Sequence, residues 1–242
     1  MPLTDTAIRN AKPGVKPVKL FDERGLTASL FDRLGIRYRK FKGDRTPGAG
    51  EIVVMPAAPS VGMPIPLTAL QILWVNLVTD GLPGLALTQE PAEPGIMHRP
   101  PRSPKEQIFS RGLGVDVLWI GAVMGIVSLL VGLWAYNFDH ALAWQTMIFT
   151  TLTLAQMGNA LATRSESQTL WEAGIFTNKS LLGAVLLTFV LQLAVIYVPF
   201  MQTVFKTQSL TLLELGISLG AGLIVLIVID LVKLLKRRFI AA

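Results

Sequence analysis

Cysteine is absent from all 242 residues, so disulfides and thiolate-bound metals are excluded and the redox compartment leaves no mark. The two histidines, His98 and His140, are too few and too far apart for a zinc centre. Charge is scarce as well. Only 16% of residues are Asp, Glu, Lys or Arg against 51% hydrophobic, a balance that belongs to membrane chains. The first residues, MPLTDTAIRNAKPG, contain no apolar core and do not read as a secretory signal. No run alternates with period two as a membrane barrel requires, and no solenoid or transporter repeat is visible.

What charge there is lies unevenly. The formal net charge is +6, and residues 1–49 hold all of it, with 11 Lys/Arg against 5 Asp/Glu. A basic arm of this kind can touch nucleic acid or anionic lipid. The simpler expectation is a segment held in the cytoplasm by its charge.

Four long apolar runs follow: Leu113–Tyr136, Ala141–Thr163, Leu181–Phe200 and Leu210–Leu235. Each reaches the ~20 residues needed to cross ~30 Å of hydrocarbon. A fifth run, Leu67–Leu87, is long enough but carries Gln71, Asn76, Thr79 and Asp80. A sixth, Ile52–Met63, is short and holds Pro56 and Pro59, which are expected to break it. Backbone groups in lipid must be paired internally, so the runs are read as helices. The expected fold is therefore all-α, a polytopic transmembrane bundle of about six spans, the first of them weak, behind a short basic extension.

Loop charge sets the orientation. Residues 88–112 contain His98, Arg99, Arg102, Lys105 and Arg111; the loop around 164–180 has Arg164 and Lys179; and the chain ends in KLLKRR at 233–238. The alternate turns are lean, with none in Asn137-Phe138-Asp139-His140 beyond the histidine and only Lys206 in 201–209. The positive-inside rule then puts both termini in the cytoplasm, provided that Ile52–Met63 spans. Trp119, Trp134, Tyr136, Trp144 and Tyr197 stand where an interfacial belt would want them.

A carboxylate near the bilayer centre costs about 2.5–3.5 kcal/mol even on the lenient insertion scale. Asp80 must therefore face other helices, water or an ion. The spacing i, i+3, i+4 predicts that Asn76, Thr79 and Asp80 stack on one helix face. Gly81 and Pro83 weaken the helix directly after them. Freed carbonyls beside a carboxylate, an amide and a hydroxyl form an all-oxygen set suited to a hard cation such as Ca²⁺. Asn76 or Thr79 alone would serve as well as interhelical glue. Asp116, Glu214 and Asp230 lie near span ends, where structural roles suffice. Gln156 and Asn159, at i and i+3, are open between ligand and glue.

The run PIPLTALQILWVNLVTDGLPGLAL (64–87), with EPAEPGIMHRPPRSPKEQIFSRG (90–112) after it, closely resembles the sixth transmembrane helix and following cytoplasmic loop of calcium-type P-type ATPases, in bacterial style. FTTLTLAQMGNALATRSE (149–166) resembles that family's eighth helix, and IYVPF (196–200) the end of its ninth. The resemblance covers about residues 50–242. It implies that Asn76, Thr79 and Asp80 are cation ligands and that Glu51 matches the fifth-helix ligand glutamate. Gln156 falls where animal reticulum pumps have a glutamate, which implies a single ion site. Gly48 stands where the family has a fifth-helix asparagine.

The family's catalytic signatures, DKTGT, GDGxND and TGES, do not occur, nor does a phosphate-cradling glycine loop. With no nucleophile, Mg²⁺ ligands or nucleotide contacts, the chain alone is not expected to be an ATPase. It is expected to bind no cofactor itself: Ca²⁺ or another cation would be cargo, and ATP/Mg²⁺ would belong to a complete pump. The stretch LTDTAIRNAKPGVKPVKLFDERGL, within residues 1–26, resembles the start of the arm-type DNA-binding domain of phage-type tyrosine recombinases, and 27–49 reads as a basic linker. About 25 residues cannot bury a core, so nucleic acid is not an expected partner. Four readings follow. The first is a catalytically silent membrane piece of a cation pump, encoded by a hybrid reading frame and seated in a bacterial inner or plasma membrane. The second is a half-pump working with an upstream pump fragment. The third and fourth are an ATP-independent channel and a DNA-binding remnant.

Overall fold

The computed structural model describes residues 21–22, 25–26, 49–89, 113–138, 143–164 and 169–240. The chain divides into two compact units, Met1–Lys40 and Phe41–Ala242. In the first, Phe21–Asp22 (β1) pairs antiparallel with Gly25–Leu26 (β2), Phe21 opposite Leu26. This is the one departure from the all-α expectation among the described residues. The rest of the proposed arm, residues 1–20 and 23–24, and most of the linker at 27–49 lie outside them.

The second unit is helical. Its elements are α1 (Ala49–Ser60), α2 (Ala69–Trp74), a π-helical turn (Val75–Asp80), α3 (Gly81–Leu87), α4 (Leu113–Asn137) and α5 (Trp144–Ala162). They continue with α6 (Leu170–Ala173), a 3₁₀ turn (Ile175–Thr177), α7 (Lys179–Tyr197), α8 (Pro199–Phe205) and α9 (Leu212–Ile240). Several helix starts follow from local sequence. Thr68 and Gln71 form a capping box on α2, and Thr169 and Glu172 form another on α6. Thr211 and Glu214 do the same for α9, the Thr211 N–H donating to Glu214 Oε2 at 2.6 Å and the Glu214 N–H to Thr211 Oγ1 at 3.3 Å. Asn178 caps α7 by accepting from the Leu181 N–H at 2.9 Å.

Among the described residues, four helical stretches are long and apolar enough to cross a membrane: Ala69–Leu87, Val115–Asn137, Lys179–Tyr197 and Leu212–Lys236. Two further expected spans differ from these. α1 has 12 residues, about 18 Å of helix, short of the hydrocarbon thickness. It is nonetheless not broken, because the helix runs through both Pro56 and Pro59. Their rings sit on its exposed side, and each proline costs one backbone hydrogen bond without meeting a neighbour. α5 is long enough but less apolar, and its position explains why. From Thr146 through Ala160 every residue is buried. A helix surrounded by other helices needs no lipid-facing surface and can carry threonines, Gln156 and Asn159.

The bundle is built around α5. It packs against α9 and α4, and also against the π turn and α7. Phe149, Leu152 and Met147 fill the largest core cluster together with Val54 of α1, Val75 of the π turn and Val195 of α7. Loops gather at two ends. At one, Asn178 Nδ2 donates to the Ala86 carbonyl at 3.3 Å, the Leu170 N–H donates to Asp230 Oδ2 at 3.0 Å, and Lys236 pairs with Asp116. At the other, Gln71 Nε2 donates to the Phe205 carbonyl at 3.0 Å, Gln145 Nε2 to the Ile65 carbonyl at 2.8 Å, and the Gln208 N–H to Thr146 Oγ1 at 2.8 Å. Among the described residues Arg164, Lys179, Lys233 and Lys236 lie toward the first end and Lys206 at the second.

Close approach of α1 to α4 depends on Gly121 and Gly125, a small-xxx-small pair. A Cβ at Gly121 would meet Ala49 Cβ at 2.5 Å, and one at Gly125 would meet Val53 Cβ at 2.6 Å and the Gly50 carbonyl at 3.1 Å. Gly125→Leu is expected to lower the melting temperature of the detergent-solubilised chain, through an overpacking loss of ~1–3 kcal/mol. Gly183→Ala, where a Cβ meets nothing within 4 Å, serves as the tolerated control.

Candidate cation site

The residues singled out in the fifth apolar run do not share one face. Val75–Asp80 is π-helical, and each of its i→i+5 turns holds one residue more than an α turn. Positions three apart, such as Asn76 and Thr79, therefore stop stacking. Thr79 and Asp80 are buried, 1% and 8% exposed. Asn76 stands exposed, its Nδ2 donating to the Ile72 carbonyl of its own helix at 2.8 Å. The wide turn ends where Pro83 brings no N–H for the Thr79 carbonyl. The Gly81 N–H reaches back to the Val78 carbonyl instead.

Opposite the π turn lies α5. Gln156 and Asn159 are fully buried there, 1% and 0% exposed. They share the α5 face of Leu152, at i+4 and i+7, and Leu152 packs on α1, where a Cβ at Gly50 would meet its Cδ2 at 2.8 Å. Glu51, next to Gly50 and in the first turn of α1, is 4% exposed. Thr79 Oγ1, Gln156 Oε1 and Thr153 Oγ1 are buried and accept no hydrogen bond from the protein. Thus Thr79, Asp80, Glu51 and Gln156 all lie inside the bundle, on elements that touch α5, while Asn76 lies on the outside.

Among the described residues no group of three or more His, Asp, Glu or Cys gathers. A cation held here would draw on the Asp80 and Glu51 carboxylates plus hydroxyl, amide and backbone carbonyl oxygens. That is hard-cation chemistry. Unsatisfied oxygens such as those of Thr79 and Gln156 cost roughly 1–3 kcal/mol each in a dry interior unless a ligand or water meets them.

One polar node escaped the sequence reading. Trp74 Nε1 donates to Gln192 Oε1 at 3.0 Å, and Gln192 Nε2 donates to Thr150 Oγ1 at 3.4 Å, joining α2, α7 and α5. A glutamine in the middle of the apolar run 181–200 was the available signal. The three carboxylates near span ends have structural partners. Asp116 accepts from Trp119 Nε1 at 2.9 Å, Glu214 caps α9, and Asp230 caps α6 and lies 3.6 Å from Lys233 Nζ.

A family profile described as cation transporting ATPase, C-terminus, matches residues 64–235. A calcium-transporting ATPase of Bacillus subtilis (strain 168) is 42% identical over 175 residues, 70% of this chain and 20% of that protein. Calcium-transporting ATPase 1 of Bacillus cereus is 33% identical over 205 residues, 78% of this chain and 23% of its own length. The human calcium-transporting ATPase type 2C member 1 is 34% identical over 188 residues, 77% of this chain and 20% of that protein. The chain thus spans about a fifth of the length of the curated relatives it matches. The family match starts at residue 64 and leaves residues 1–26 untouched.

Pro83→Ala restores a donor for the Thr79 carbonyl. It is expected to slow amide hydrogen exchange across residues 75–87 several-fold and to raise the melting temperature. Unchanged exchange there would mean that proline does not set the wide turn.

Proposed function

The chain belongs to the cation-transporting ATPases, as their C-terminal membrane region, and from that premise we propose that it forms part of the ion-binding pathway of a calcium pump. It is a multi-pass membrane protein. One observation carries the reading: a π turn in an apolar span buries Thr79 and Asp80 on an element that packs against α5. In this reading Ca²⁺ is cargo. Asp80, Thr79, Glu51 and Gln156 supply oxygens from inside the bundle, and Asn76 joins them only if a neighbouring helix covers its face. The basic end of the bundle is cytoplasmic, with both termini on that side, which makes α1 and α5 spans in addition to the four apolar ones. α1 then crosses a locally thinned or protein-lined region rather than full hydrocarbon.

Phosphoryl transfer needs a nucleophile, Mg²⁺ ligands and nucleotide contacts, and no motif for them occurs in the sequence. Alone, the chain is proposed to bind the cation without hydrolysing ATP. A second reading rests on the same family membership. It is a half-pump, active when a separate polypeptide supplies the phosphorylation, nucleotide-binding and actuator domains. Nothing among the described residues favours a DNA-binding or free channel role.

Equilibrium Ca²⁺ binding to the detergent-solubilised chain tests the proposal. Saturable binding is expected, weakened at least about tenfold by Asp80→Asn, which corresponds to ~1.4 kcal/mol. Binding that ignores the substitution would contradict the assignment. In parallel the chain alone should hydrolyse no ATP and form no acid-stable phosphoenzyme. ATPase activity that appears only with a co-expressed upstream pump fragment would support the half-pump.

A further inference from the structure

Away from the π turn, α4, α5 and α9 meet along a seam lined by Ile120, Met124, Ala155, Val225 and Ile229. Three hydroxyls interrupt it. Ser128 of α4, Thr151 of α5 and Ser218 of α9 are each 0% exposed, and their oxygens have no hydrogen-bond partner in the protein. A serine or threonine in a helix commonly donates back to the carbonyl one turn earlier. None of these three does so, whereas Thr163 and Thr203 do, at 2.8 and 3.0 Å.

Contacts one turn away place the three at a similar depth in the seam. α4 and α5 run antiparallel, and a Cβ at Gly132 would meet Ile148 at 2.3 Å. α5 and α9 run parallel, and a Cβ at Gly222 would meet Leu154 Cβ at 2.8 Å. Thr151 lies midway between Ile148, which meets α4, and Leu154, which meets α9, so it sits on the strip of α5 between the two neighbours. Ser128 is one turn from Gly132, and Ser218 one turn from Gly222. At 1.5 Å per residue the three positions fall within roughly 3 Å of the same depth. Gly222 and Ala155 keep side-chain bulk low around them.

We infer that Ser128, Thr151 and Ser218 form a buried site for one water molecule that ties α4 and α9 to α5. A water can donate twice and accept from the remaining hydroxyl, and a buried water commonly has about three polar partners. A cation fits less well, because three neutral hydroxyls neither match the 6–8 oxygens of Ca²⁺ nor neutralise charge in a dry seam. The site stands on different residues from the proposed cation pathway and keeps its meaning if Ca²⁺ does not bind. Its role is to hold the α4–α5–α9 scaffold as one body.

A mutant cycle on the full chain in detergent micelles tests the inference. Ser128→Ala, Ser218→Ala and Thr151→Val should each lower the melting temperature by roughly 2–6 °C. Each pair of changes should lose less than the sum of its members, because the first already disrupts the shared water. Thr151→Ser, which keeps the hydroxyl, should recover part of the loss. If Thr151→Val fails to fold, the cycle of Ser128→Ala with Ser218→Ala decides alone. Neutral or strictly additive changes would overturn the inference. So would a high-resolution map in which the three hydroxyls bond one another or backbone carbonyls, with no density between them; a peak within hydrogen-bond distance of all three supports it.

Discussion

Inside a lipid bilayer no solvent competes for hydrogen bonds, and each polar group taken there must find its partner within the protein. α5 shows how this chain meets that demand. Its threonines, Gln156 and Asn159 would be costly on a lipid-facing helix, yet it is wrapped by α4, α7, α9 and the π turn. The apolar residues are left to the helices around it. Leu73, Leu77, Leu118, Leu130, Val190 and Ile227 all point outward. Every other polar feature depends on that separation. The Trp74–Gln192–Thr150 chain, the buried pair Thr79–Asp80 and the three hydroxyls of the seam all lie on α5 or against it.

The π turn makes this interior locally irregular. Widening the backbone at Val75–Asp80 moves Thr79 off the line of Asn76, and Thr79 and Asp80 are buried while Asn76 is exposed. Non-α geometry is tolerated at membrane depth only where protein covers it. A helix made regular at this point would show its polar residues on a different face. The local weakness created by Gly81 and Pro83 thus belongs with the direction in which the carboxylate points.

Much of the architecture was legible from residue order alone. Apolar runs at 67–87, 113–136, 181–200 and 210–235 correspond to the helical stretches at 69–87, 113–137, 179–197 and 212–240, while capping boxes such as Thr211/Glu214 went unread. The charge asymmetry between alternate loops falls largely on residues 90–112, outside the described residues. Other features were hidden because they arise from packing. Prolines foretold a break in α1, but rings on an exposed side leave the helix intact. Ideal α spacing put Asn76, Thr79 and Asp80 on one face, whereas Thr79 and Asp80 are buried and Asn76 is exposed. The burial of α5 was invisible in a pattern that scored only length and hydrophobicity. Gln192 shows the same limit, since one glutamine in an apolar run does not say which tryptophan will find it.

The absence of cysteine makes the central claim, that Thr79 and Asp80 lie sheltered within the bilayer against α5, directly accessible to single-cysteine labelling. Thr79→Cys, Lys206→Cys and Lys236→Cys would be placed in membrane vesicles of known sidedness and exposed to an impermeant maleimide. The account predicts that position 79 stays unlabelled from either side, while positions 206 and 236 react from opposite sides. Rapid labelling at position 79 in intact vesicles would contradict it.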